Sequence, residues 1–293
     1  MKLPHSWHSP AIAQLVNGVH EGPAVGVDGV APLSSLGPTE LGYLEKGAPG
    51  TTGVVFAKAA VPDRTSIVVE DPLAAMVAFL RAAVPDHQFD GPAKIEGEVH
   101  PSAVIAGGVE IGAGTVIYPN VVVYPGVRIG RNCRIHAGSV IGADGFRFHA
   151  TKGGLLKVPQ VAGVQIGDSV EVGALCTIDR GFLEDTQIGG GSKLDNMVHI
   201  GHNCRLGRYV VIAAQTGISG SVTIGDGAIL GGQVGVVDHV EIGAGARIGA
   251  GSGVHADIPA GETWLGSPAR NIRETRRIWA SWKYLPEIVR KLG

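Results

Sequence analysis

Large side chains are scarce in this sequence. Aromatic residues make up 5% of its 293 positions and methionine occurs 3 times, whereas glycine occurs 46 times. A chain with so few rings and so many flexible positions does not fill a globular interior with bulky groups. The balance points to a narrow structure with many tight corners. Cysteine is sparse too. Cys133, Cys176 and Cys204 are odd in number, lie far apart and form no Cys-x-x-Cys pair, which argues against a disulfide framework and a zinc site and fits a reducing compartment. Neither sign of charge dominates, with 24 basic and 26 acidic residues and a formal net charge of −2. Whole-chain electrostatics therefore supply no reason to expect nucleic acid as a partner. No run approaches the roughly 18 apolar residues of a membrane span. The stretch Met1-Lys2-Leu3-Pro4-His5 has no apolar run behind its basic start. Neither an integral membrane segment nor a secretory signal is expected, and the cytoplasm is the default location.

What the sequence has in abundance is a period of six. From Val99 an aliphatic residue recurs at Ile105, Ile111, Ile117, Val123, Ile129, Ile135 and Ile141. The phase breaks over Phe146 to Ala162 and resumes at Ile166, Val172 and Ile178. A four-residue slip follows around Leu183 to Thr186, after which the period runs unbroken from Ile188 to Val254. Four residues after each aliphatic comes a smaller inward candidate such as Val109, Thr115, Val121 or Ser139, and all three cysteines take this place. They read as small buried hydrophobes. Three residues after the aliphatic, Gly or Asn recurs, as at Gly108, Gly114, Asn120, Gly126, Asn132 and Gly138. These types tolerate positive φ, so this is the corner of each turn.

Six residues with one inward aliphatic, a short extended run and one corner make one side of a prism, and three sides make an 18-residue coil. Stacked coils form parallel strands about 4.8 Å apart around an aliphatic ladder. Periodicity establishes a β-solenoid and leaves its handedness open. Residues 1–95 lack the repeat and read as a small α/β domain, with helical apolar spacing over Ala11 to Val19 and Leu73 to Val84 and strands over Thr52 to Phe56 and Thr65 to Val69. Residues 96–265 are the solenoid, entered through a link over Asp86 to Glu98. Residues 266–293 form a C-terminal helical extension, with Pro268 near its start and a break expected at Pro286.

These repeats, with Ile-Gly recurring for over 150 positions, resemble the left-handed β-helix acyltransferases. Within that superfamily the chain is similar to the UDP-3-O-acylglucosamine N-acyltransferase family. The matching stretches are Ile141-Gly-Ala-Asp-Gly-Phe146, Lys157-Val-Pro-Gln160, Thr177-Ile-Asp-Arg-Gly181, Leu194-Asp-Asn196, Ile200-Gly-His-Asn203 and Gly231-Gly-Gln-Val-Gly235 running into His239. Gly29-Val-Ala-Pro-Leu33, Gly37-Pro38 and Val68-Val-Glu-Asp-Pro72 resemble the family's uridine-binding domain.

The resemblance implies a left-handed parallel β-helix that forms a homotrimer with active sites between adjacent prisms. It implies an acyltransferase of lipid A biosynthesis. A hydroxyacyl chain would move from the phosphopantetheine of acyl carrier protein to the 2-amino group of a UDP-3-O-acylglucosamine, with no metal and no free cofactor. The sequence departs from the family after Tyr43. Where relatives carry a second aromatic that helps hold the uracil, this chain reads Leu44-Glu-Lys-Gly-Ala-Pro-Gly50, leaving Tyr43 as the expected uracil contact.

Amide formation from a thioester needs a base for the amine proton and aligned substrates. His239, three residues after Val236, holds a corner position, where it is either the base or a residue that tolerates the left-handed turn. The family's proton acceptor matches this position. His202, two residues after Ile200, is a secondary candidate on the same face, and the run from His199 also resembles the catalytic segment of the sister O-acyltransferase. His255 lies one coil beyond His239 and reads as a solvated corner. Asp257, eighteen residues after His239, is either an orienting carboxylate stacked on it or an ordinary turn residue. In the C-terminal helix Arg270, Arg273, Arg276 and Arg277 form a dock suited to an acidic carrier protein. Two other functions stay open. Gly266-Ser-Pro-Ala-Arg270 resembles the ending of acetyl-CoA-dependent sugar acetyltransferases, and the altered segment after Tyr43 is compatible with a non-catalytic scaffold.

Overall fold

Inward aliphatics settle the architecture. The computed structural model describes residues 1–44, 52–84 and 91–292, and these form two units. The larger unit is a parallel β-solenoid whose short strands fall into three sheets in strict rotation. The first sheet runs from Lys94–Ile95 to Glu241–Ile242 and the second from Glu98–Val99 to Arg247–Ile248, extended by Thr263–Leu265 and Arg270–Asn271. The third runs from Val104–Ile105 to Gly253–Val254. The register is aliphatic on aliphatic: Ile111 pairs with Ile129, Ile129 with Ile166, and Ile166 with Ile188. Each such side chain is buried and contributes roughly 1.5–3 kcal/mol relative to exposure.

The extra residues between Ile141 and Ile166 do not disturb this ladder, because Ile129 pairs directly with Ile166 and Ile141 with Ile178. They leave the coil at a corner, as do those near Leu183, since Ile178 pairs with Ile200. The corners carry positive φ, and every Gly and Asn expected there adopts it, Asn120 at 59° and Asn203 at 60° among them. Leu175, Met197, Tyr209, Gln215 and Ser221 also adopt it, with φ between 57° and 61°. Those residues meet a conformational cost of roughly 1–2 kcal/mol each, which the ladder on either side offsets.

All three cysteines are buried and free. The Cys204 thiol donates to the Ser219 carbonyl at 3.1 Å, and burial pushes it up to about 12. These thiols pack the core as the repeat position predicts.

The smaller unit combines residues 1–90 with the two looped-out segments, 144–163 and 180–185. It is therefore not the contiguous stretch that the loss of the repeat suggests. Its elements are β1 (Lys2–His8), α1 (Ser9–Leu15), β2 (Val19–Glu21), β3 (Gly26–Val30), β4 (Glu40–Tyr43), β5 (Val54–Ala57), β6 (Ser66–Val68) and α2 (Pro72–Ala83). Six strands form one sheet in the order β1-β3-β4-β5-β6-β2, with Phe56, Met76, Phe79 and Leu80 in its core. Val158, Phe182 and Leu183 from the looped-out segments join that core. Asp71 caps α2, accepting from the Ala74 amide at 3.0 Å, and Pro72 takes the first turn. The first helix ends earlier than its apolar spacing suggests. Asn17 turns left-handed at φ 53°, and Val19 joins β2 instead.

The solenoid begins at Lys94, inside the stretch read as a link, part of which (86–90) lies outside the described residues. At the far end Arg270–Asn271 pairs antiparallel with Thr263–Leu265 before α3 (Ile272–Trp282) and α4 (Leu285–Leu292). The break falls at Lys283 and Tyr284 rather than at Pro286. Proline sits in the first turn of α4, where its missing N–H costs nothing.

The ladder predicts a steep response to core truncation. Ile218, stacked between Ile200 and Val236, is expected to cost about 2–5 kcal/mol when changed to Ala. Chemical denaturation followed by circular dichroism measures it, and a loss below about 1 kcal/mol would contradict a shared ladder.

Candidate active site

The histidines gather at one edge of the solenoid, the corner between the third sheet and the first. Ile200, Ile218 and Val236 are in register, so the residues that follow them stack. Asn203, Ser221 and His239 occupy equivalent corners with φ of 60°, 61° and 60°. His202 is level with Gly220 and Asp238. The backbone repeats this, with Ser221 N–H donating to the His202 carbonyl at 2.8 Å and His239 N–H to that of Gly220 at 3.2 Å. His202 and His239 thus share an edge two coils apart, about 10 Å.

The two imidazoles are held very differently. His202 is half-buried, and its Nδ1 lies 3.1 Å from Asn203 Oδ1. An amide oxygen only accepts, so the neutral ring in that bond carries its proton on Nδ1 and its lone pair on Nε2. Gly220 lies directly against the ring: a Cβ there would come within 2.6 Å of Cε1 and 2.7 Å of Nε2. His239 instead projects with its side chain 77% exposed, and its nearest carboxylate is the neighbouring Asp238, 4.0 Å away. His255 is exposed.

Asp257 does not stack on His239. Val236 pairs with Val254 eighteen residues on, but Ile242 pairs with Ile258 and Ile248 with Trp264, only sixteen on. The last coil is two residues short after Val254, which places Asp257 opposite Glu241. There its Oδ1 accepts from the Glu241 amide at 2.8 Å. Its role is to fix the backbone two residues past His239.

His199 belongs to this edge and was not singled out by the repeat. It sits outward on the strand that carries Ile200, in register with Thr177. Its Nδ1 lies 2.7 Å from Thr177 Oγ1 and its Nε2 3.8 Å from the carboxylate of buried Asp179. Burial lowers its imidazole below the ordinary histidine value of about 6.5. The four-residue slip hides the pair, because Thr177 and His199 are not a multiple of six apart. The next two outward positions are Gly217 and Gly235, where an added Cβ meets nothing within 4 Å. The sheet face beside the corner is therefore bare backbone.

Tyr43 ends β4 in the other unit. Its hydroxyl accepts from Arg147 Nη2 at 3.0 Å, its ring meets Phe182 edge-on at 6.1 Å, and the Arg147 guanidinium lies 4.8 Å over the Phe182 ring. Both partners come from the looped-out segments. The altered stretch after Leu44 lies outside the described residues. In the C-terminal extension Arg270 pairs with Glu274 at 2.8 Å, while Arg273, Arg276 and Arg277 line the exposed side of α3.

Fold and repeat define a hexapeptide-repeat β-solenoid: residues 108–143 and 185–220 match the bacterial transferase hexapeptide, in six repeats. Among curated proteins the chain is similar to UDP-3-O-acylglucosamine N-acyltransferases. It is 48% identical over 168 residues to that of Rhizobium meliloti (strain 1021), covering 51% of this chain and 42% of the relative. It is 45% identical over 146 residues to that of Methylobacterium nodulans, covering 50% and 42%. The chain thus spans less than half the length of these relatives. Among solved structures, the UDP-N-acetylglucosamine acyltransferase of Francisella novicida superposes with a TM-score of 0.53 at 28% identity, covering 64% of this chain and 72% of that one.

A neutral, lowered His199 has a consequence for stability. As pH falls, the unfolded chain binds this proton before the folded one. Stability present above about pH 6.5 is lost progressively as pH drops through that value toward the folded-state one. With the side chain 46% exposed the loss is modest. NMR titration is expected to place His199 below 6.5, and His199→Gln to flatten the decline of the urea midpoint between about pH 7.5 and 5.5. A midpoint above 6.5 would show that Asp179, not burial, governs the ring.

Proposed function

We propose that this chain is an acyl carrier protein-dependent acyltransferase that places a 3-hydroxyacyl chain on the 2-amino group of a UDP-3-O-acylglucosamine, in lipid A biosynthesis. The observation that carries the chemistry is the seating of His202. A general base works best when its ring is fixed and its basic nitrogen is aimed. Asn203 fixes the His202 ring and Gly220 lies directly against it. His239, projecting from its corner, is the second candidate for the base. We therefore rank His202 first as the base, although the sequence ranks His239 first.

In the proposed step the amine nitrogen attacks the thioester carbonyl as the His202 imidazole takes its proton. Collapse of the tetrahedral intermediate breaks the carbon–sulfur bond, and the thiolate of the phosphopantetheine leaves with a proton returned by the imidazolium. The bare strip of Gly217 and Gly235 gives an extended donor a place to lie without displacing side chains. Tyr43, steadied by Arg147 and Phe182, is the proposed uracil contact, and Arg273, Arg276 and Arg277 are the proposed dock for the acidic carrier protein. A homotrimer, with prisms side by side along their flat faces, completes the reading.

Mass spectrometry of the reaction tests it. With hydroxyacyl carrier protein and UDP-3-O-acylglucosamine, the product is expected to gain one acyl group on nitrogen. Product formed only from acetyl-CoA, or none at all, would reject the assignment in favour of an acetyltransferase or a scaffold. His202→Ala is expected to slow transfer by about 10²–10⁴-fold and His239→Ala by clearly less.

A further inference from the structure

We propose that Arg147 is an anion receptor whose guanidinium binds the diphosphate of the nucleotide stacked on Tyr43. The inference rests on the acceptor reading above and adds to it the group that separates a nucleoside diphosphate from its nucleoside. Strand alternation sets the direction of the side chain. Phe146 and Phe148 meet at 5.1 Å on the exposed side of their segment, and Arg147 between them turns the other way, toward the end of β4. Its carbonyl accepts from the Val158 amide at 3.1 Å, which fixes the backbone.

Two rings hold the guanidinium. It lies 4.8 Å over Phe182, and Nη2 donates to the Tyr43 hydroxyl at 3.0 Å. Phe182 is itself buried and meets Tyr43 edge-on. A half-buried cation calls for an anion, because its charge has lost part of its hydration. The acids of its own segments are committed elsewhere: Asp144 pairs with Lys157 at 2.5 Å, and Asp185 accepts from the Gly163 amide at 2.7 Å. Among the described residues the Tyr43 hydroxyl is the one hydrogen-bond partner of the guanidinium. Most of its planar fork of N–H donors is therefore open to a ligand.

Other cations of this unit are engaged. Lys152 pairs with Glu70 at 2.8 Å, Arg180 is buried and donates to the Ala162 carbonyl at 2.7 Å, and Arg64 donates to the Gly53 carbonyl at 3.2 Å. Arg147 is the cation that stands at the base-stacking ring. Its ligand is the diphosphate rather than the base. Uracil offers neutral carbonyls, whereas phosphate oxygens carry full charge and match the guanidinium fork two to two. The bond to the Tyr43 hydroxyl also puts that fork beyond the edge of the ring, not over its face. A base stacked on the face leaves the edge to the groups that extend from it. Having accepted from Arg147, the hydroxyl keeps its own proton to donate to the same phosphate. No aromatic follows Tyr43 until Phe56, which is buried. Stacking on one ring thus leaves much of the binding to charge.

Calorimetric titration of the full chain with UDP and with uridine tests it, on the wild type, Arg147→Met and Arg147→Lys. Methionine keeps an apolar contact with Phe182 and removes the charge. Lysine keeps the charge and loses the fork. Arg147→Met is expected to weaken UDP by about 10–100-fold and uridine by less than about twofold. Arg147→Lys is expected to fall between the wild type and Arg147→Met for UDP. Salt is expected to weaken UDP binding more steeply in the wild type than in Arg147→Met. Equal losses for UDP and uridine would assign Arg147 to holding the ring and overturn the proposal. An unchanged affinity for UDP in Arg147→Met overturns it too, and leaves the acceptor reading intact. A wild type that binds neither ligand overturns the acceptor reading together with the proposal.

Discussion

Everything in the solenoid depends on one constraint: an aliphatic side chain must lie directly on an aliphatic side chain in the coil below. Ile200 on Ile178 and Ile218 on Ile200 show the rule in the region that matters. The backbone pays little attention to what happens between those contacts. Extra residues are expelled at corners, bulky residues are forced into left-handed turns, and the final coil closes two residues early. What survives is the register, and register decides which corner residues stand above one another. The histidine edge is a by-product of core packing. His202, Gly220 and Asp238 are aligned because Ile200, Ile218 and Val236 are.

The ladder also explains why the site is rigid. His202 is placed by its own coil through Asn203 and by the next coil through Gly220, so two layers of hydrogen-bonded backbone hold one imidazole. A side chain at position 220 would collide with the ring. Asp257, which an unbroken period would stack on His239, instead accepts from the Glu241 amide. The seated and the projecting histidine also hold different places in the repeat, His202 level with Asp238 and His239 level with Asn203 and Ser221.

Much of this was legible beforehand. The six-residue period exposed the aliphatic ladder, the small inward cysteines and the Gly and Asn corners, since each depends on local chemistry repeated many times. What escaped had a single physical origin. Leu175, Met197 and Tyr209 turn left-handed because the coil imposes it, against their own preference. Thr177 and His199 meet only after the slip is closed by pairing of Ile178 with Ile200. Arg147 and Phe182 reach Tyr43 from segments remote in sequence. β1 carries Pro4 within its seven residues, and β2 to β4 have only three to five residues each, so their alternation does not stand out. In each case a tertiary contact decided what a local pattern could not.

The central claim is that a seated His202 takes the proton from the attacking amine. The pH dependence of kcat/KM, measured between about pH 5 and 8 where a histidine titrates, tests it most directly. The wild-type protein and the His239→Ala variant are predicted to share an ascending limb in that range, and His202→Ala to lose it. Retention of the limb in His202→Ala together with its loss in His239→Ala would contradict the account and return the base to the projecting corner.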